Sequence, residues 1–143
     1  MILNREKGGY LLGQVVRLCG SFRIDGTNDP DVIRDGNSDC VATVDRESAG
    51  LFTVTFAGGE TNSPYYFPIP EKLVSWKVSI AQAAGPTQPC EARYVVDSYS
   101  QTTRSFQIQC LDWEVPSAVD PDDNDMIAFE LVGSIDSSGT DVA

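Results

Sequence analysis

A chain of 143 residues with a net charge of −11, from ten basic and twenty-one acidic side chains, has the length of one ordinary domain. The charge has the wrong sign for gripping phosphate, because nucleic-acid affinity comes chiefly from Lys and Arg displacing counterions; no nucleic-acid partner is expected. The chain has no histidine, which excludes Ser-His-Asp and Cys-His nucleophile activation and His-rich metal sites.

The first stretch, "MILNREKGGYLLG", has no apolar run long enough for a secretion signal, and Arg5-Glu6-Lys7 interrupts it. No segment approaches the ~20 apolar residues of a membrane span, so no membrane partner is expected. Ile2, Leu3, Tyr10, Leu11 and Leu12 are apolar but have no helix or hairpin of their own. Residues 1–12 therefore read as an arm laid against a neighbour. Residues 14–24, "QVVRLCGSFRI", alternate like a half-buried strand: Val16, Leu18, Phe22 and Ile24 share one face, Arg17, Ser21 and Arg23 the other. The next stretch, "DGTNDPDVIRDGNSD", is dense in turn residues and reads as a connection.

Residues 40–46 and 51–57 form the clearest hairpin. In "VDRESAGLFTVTF" the Ser48-Ala49-Gly50 break separates a charged strand end from a segment in which Phe52, Val54 and Phe56 alternate with Leu51, Thr53 and Thr55. Pro64, Pro68 and Pro70 rule out a central strand in "AGGETNSPYYFPIPEK", where Tyr65, Tyr66 and Phe67 are the candidate exposed apolar patch. In 73–81, "LVSWKVSIA", Val74, Trp76, Val78 and Ile80 share a face, which makes Trp76 an expected core residue. A hairpin of 92–99 and 104–111 turns about "SQTT", with Cys110 on the face of Phe106 and Ile108; residues 126–132 are the last strand. Seven short strands with turn chemistry between them predict an all-β domain, an antiparallel β-sandwich or jelly roll. Its expected span is 13–133, with 134–143 as a polar tail.

Four cysteines without a C-x-x-C pair, in a chain with no recognisable export signal, read first as buried free thiols, with one or two disulfides, in any of three connectivities, or a zinc site built from all four as the alternatives. The Gly-Gly pairs at 8–9 and 58–59 are followed by no phosphate loop, and no carboxylate pair is set among apolar neighbours as a glycosidase requires. No catalytic residue, metal site or cofactor is assigned. The acidic stretch Asp120 to Asp125 departs from a calcium loop, with Asp125 at the glycine position and Leu131 at the final glutamate position. It reads as a solvated turn.

Residues 18–56 resemble the pattern of small tailed-bacteriophage capsid decoration (cement) proteins. A strand containing Gly20 and Phe22 leads through a turn-rich loop with Gly26 and Pro30 to a strand closing on Arg46. A short turn then opens the run Gly50-Leu51-Phe52-Thr53-Val54-Thr55. The late segment "DPDDNDMIAFEL" is similar too, whereas the cysteines and the Pro64–Pro70 connection lie outside the pattern. The resemblance implies a non-enzymatic virion protein that binds the major capsid protein on the outer face of the head, after assembly in the host cytoplasm. A homo-oligomer is implied, preferably a trimer at three-fold positions. The alternative is a carbohydrate- or receptor-binding module displayed on a virion, which requires exposed parallel aromatic rings, for which Trp76, Trp113, Tyr65, Tyr66 and Tyr99 are the candidates; a cement protein requires an apolar patch facing other chains.

Overall fold

The computed structural model describes residues 14–34, 38–57 and 69–135. Eight strands are present: β1 (Gln14–Asp25), β2 (Asn28–Val32), β3 (Val41–Ser48), β4 (Leu51–Phe56), β5 (Lys72–Ala81), β6 (Cys90–Tyr94), β7 (Ser105–Asp112) and β8 (Met126–Ile135). They form two four-stranded antiparallel sheets, in the orders β2-β1-β8-β5 and β3-β4-β7-β6. The domain is the expected β-sandwich, with one strand more than the sequence suggested.

Period-two alternation builds the core. Leu18, Phe22 and Ile24 from β1 and Ile127, Phe129 and Leu131 from β8 face Phe52, Val54 and Phe56 from β4 and Phe106, Ile108 and Cys110 from β7. The sheets lock through rings: Phe106 meets Phe129 edge-on at 5.0 Å between centroids, and Phe22 meets Phe52 at 5.7 Å. Such pairs contribute about 0.5–1.5 kcal/mol each beyond the area they bury.

Four expectations are corrected. The supposed connection after residue 25 contains β2, which pairs with β1 at the sheet edge and places Pro30 inside the sandwich. An edge strand tolerates proline because one side of its backbone has no ladder to complete. The strand expected at 92–99 runs instead from Cys90 to Tyr94, because Asp97 at φ 65° and Arg104 at φ 58° turn the chain before β7. The last strand continues past residue 132 to Ile135, pairing with Gln14. In β5, the register shifts between Leu73 and Ser75. That bulge turns Val74 outward, and Trp76, expected in the core, is half exposed. β5 is the edge strand of its sheet, and of the second sheet it is Tyr94, at the end of β6, whose ring stacks on the Trp76 indole.

The four cysteines are free thiols; Cys40, Cys90 and Cys110 are buried, and Cys19 is half-buried. Burial pushes the thiols of Cys40 and Cys110 up and raises that of Cys90 to about 11. They are protonated near neutral pH and behave as small apolar side chains.

Candidate functional site

The acidic stretch before β8 is not a solvated turn, and this corrects the sequence reading. Its carboxylates accept hydrogen bonds from loops remote in sequence. Asp120 takes two from Arg46, Nε at 3.0 Å and Nη2 at 2.7 Å, and a third from Gly50 N at 2.9 Å. Asp122 accepts from the backbone amides of Thr87 and Gln88 at 2.7 and 2.9 Å, and Asp123 from Gly26 N at 3.0 Å. Asp125 is buried and accepts from Gln82 Nε2 at 2.8 Å and from Asp122 N at 2.9 Å. Loop amides turned away from both ladders need acceptors, and these carboxylates supply them. Among the described residues no group of three Cys, Asp or Glu side chains could hold a metal ion.

The Arg46 guanidinium, with Gly50 N assisting, holds the Asp120 carboxyl below the usual carboxylate range. A depressed folded-state value contributes stability that is complete above the unfolded pKa, about 3.9, and is lost as pH falls through the folded value. Stability is therefore expected to be level from neutrality to about pH 5 and to fall in stronger acid. Asp120→Asn should flatten that acid limb and cost roughly 1–2 kcal/mol, discounted for the water on its open side. Urea melts of both proteins across pH measure this; an unchanged acid limb would refute the assignment.

Two exposed apolar features stand on the sandwich. One is a groove of about 370 Å3 where β5 begins and β6 ends, lined by Glu71, Lys72, Leu73, Trp76, Tyr94, Val96, Asp97 and Tyr99. The Trp76 indole stacks on Tyr94 at 4.8 Å between centroids, and Tyr94 stacks in turn on Phe106 at 5.9 Å. The row of rings ties the groove floor to the core. Tyr99 donates its hydroxyl to the Pro70 carbonyl, and burial pushes its phenol up, so it remains a donor. Val96, on the groove's lining, is 71% exposed, and Val74 of β5 is 68% exposed.

The second feature is the turn after β7. Asp112 Oδ1 accepts from the amides of Glu114 and Val115, and its Oδ2 from Gln88 Nε2 at 2.8 Å. Gln88 is the leading cause that holds the Asp112 carboxyl below its ordinary value, followed by the two amides. Asp112 N donates to Ser117 O, and Leu111 bridges to Ala118, which closes the base of the turn. On this closed turn Trp113 and Val115 are 68% and 64% exposed.

The sequence-derived contact residues Ile2, Leu3, Tyr10, Leu11, Leu12, Tyr65, Tyr66 and Phe67 all lie outside the described residues. Of the features that the structure brings forward, Trp76 at the groove and Trp113 on the turn entered the sequence reading as contacts only as rings of a sugar platform, and Val96 and Val115 were not singled out. Trp113 carried the better signal: a tryptophan between two acids and ahead of Pro116 is poorly suited to a core strand. No protein-family model, no curated protein and no solved structure matches this chain.

Proposed function

We propose that the protein is a non-enzymatic structural component of a virus particle, a decoration protein that binds the outer face of a tailed-phage head and stabilises the shell. The observation that carries the binding role is the character of its exposed apolar surface. Trp76 spends one ring face on Tyr94, and the most exposed apolar side chain lining the same groove is the aliphatic Val96. A sugar platform would present open parallel rings; an aliphatic side chain in the same groove as a half-covered indole suits contact with protein. The choice of a capsid as partner rests on the resemblance of residues 18–56.

The frame suits a clamp. Gln88, gripped by Asp122, steadies Asp112 at the base of the Trp113 turn, so that turn loses little further freedom on docking and less of the contact energy is spent on ordering. Many copies on a repeating lattice need only modest affinity each. Cryo-microscopy of the virion tests the reading: density for this chain is expected on the outer face of the head, and shells lacking it should break at lower temperature. Density on a tail tip or inside the shell would overturn it.

A further inference from the structure

We infer that the chain's own N-terminal segment, residues 1–13, lies in the β5–β6 groove and covers Trp76. This rests on the reading of the groove as a protein-contact surface, and not on the choice of a capsid. The groove opens at the end of the sandwich from which that segment departs. Gln14, the first residue of β1, pairs with Ile135 of β8; Lys72, the first residue of β5, pairs with Ser134 on the other side of the same strand. Gln14 and the groove mouth are therefore two strand spacings apart, roughly 10 Å at about 4.8 Å each. Tyr10 precedes Gln14 by four residues, a reach of roughly 14 Å at about 3.4 Å per residue. Tyr10, Leu11 and Leu12 are thus three successive large apolar side chains within reach of a floor made by Leu73, Trp76 and Tyr94.

Charge selects the same segment. Glu71 and Asp97 outnumber Lys72 on the groove lining, and both acids are exposed with no ion pair among the described residues. The groove therefore favours a basic occupant, which a chain of net charge −11 seldom offers. Residues 1–13 carry Arg5 and Lys7 against Glu6. The other segments outside the described residues, 35–37, 58–68 and 136–143, hold Asp35, Glu60, Asp136 and Asp141 and no Lys or Arg. The apolar run Tyr65-Tyr66-Phe67 thus comes with an acid and no base. Tethering separates the segment from free partners. A tether this short gives it an effective concentration on the order of millimolar at its own groove, which a second copy or another protein must exceed to displace it. The groove is then open to another protein only when the segment is drawn out.

Trp76 is the reporter. The whole chain with the exposed Trp113 changed, Trp113→Phe, keeps Trp76 as its single tryptophan, and acrylamide is expected to quench that indole weakly. Tyr10→Ser, Leu11→Ser and Leu12→Ser together should raise the quenching constant several-fold and move the emission to longer wavelength, with circular dichroism checking that the sandwich is intact. Protection should be the same at about 1 μM as at about 100 μM, because both lie below the millimolar effective concentration of the tether. Arg5→Glu with Lys7→Glu should raise quenching as well, and adding Glu71→Lys should lower it again. An indole as quenchable in the parent chain as in the variants would overturn the inference. So would protection that disappears on dilution, which assigns the groove to a second copy. Protection lost with Tyr65→Ser, Tyr66→Ser and Phe67→Ser, while the N-terminal substitutions leave it intact, would overturn it too. A groove uncovered in the free chain, with that chain found on the phage head, would sink this inference and leave the virion reading standing; a covered groove in a chain absent from any particle would do the reverse.

Discussion

Gly50→Ala is expected to destabilise the protein by at least about 3 kcal/mol, a large part of the ~5–15 kcal/mol that holds an ordinary domain together. Gly50 ends the β3–β4 turn at φ +70°, the left-handed region that costs a residue with a Cβ about 1–2 kcal/mol. Space is the larger problem. A Cβ there would lie 2.5 Å from Val119 O and 2.8 Å from both Cys110 O and Val119 N. These are backbone atoms, fixed by the bond from Val119 N to Cys110 O and by the bond from Cys110 N to Gly50 O. Relief requires the turn to leave β7, which also moves Gly50 N away from Asp120 and strains the Arg46 pair. Gly26→Ala is the control. Its φ is +58°, but nothing lies within 4 Å of the added atom, so the expected cost is only about 1 kcal/mol. Urea unfolding of the two variants decides the matter; equal losses would mean that crowding at Gly50 counts for nothing.

The same turn shows how far the sequence could be read. Alternation in Leu51–Phe56 and the glycine before it announced the β3–β4 hairpin, because both signals are local. What Gly50 packs against was not announced, since Val119 and Asp120 lie some seventy positions away. The acidic loop failed as a reading for the same reason. Six closely spaced residues rich in aspartate look solvated when judged by composition, yet their donors come from Gly26, Arg46, Gly50, Gln82, Thr87 and Gln88. Trp76 failed differently. Its parity in β5 was right, with its partner Leu131 buried on β8, but the edge position of that strand is not written into alternation. β2 was hidden by Pro30, a residue that argues against a central strand and is compatible with an edge.

Asp125→Ala should cost about 3 kcal/mol, where a solvated turn would lose no more than about 0.5. Asp125 is 5% exposed, so water cannot replace what the carboxylate does. Its removal leaves Asp122 N and one donor of the Gln82 amide without their acceptor. Each unsatisfied buried group costs roughly 1–3 kcal/mol. The damage spreads along a defined route. Gln82 also donates to Gln88 O and accepts from Cys90 N, so its side chain sets where β6 begins. Asp122 grips Thr87 N and Gln88 N, and Gln88 in turn steadies Asp112 at the base of the Trp113 turn. Asp125→Asn can set its one amide oxygen where Oδ2 accepts both bonds, but as a neutral, weaker acceptor, so it should lose about half as much. Asp122→Asn with Asp123→Asn should also destabilise, by roughly 1–2 kcal/mol, because a neutral amide oxygen accepts more weakly than a carboxylate. Chemical denaturation ranks the three variants. If Asp125→Ala unfolds with the wild-type midpoint and slope, the carboxylate ties are incidental, and the loops that carry the Trp113 turn are held by something else.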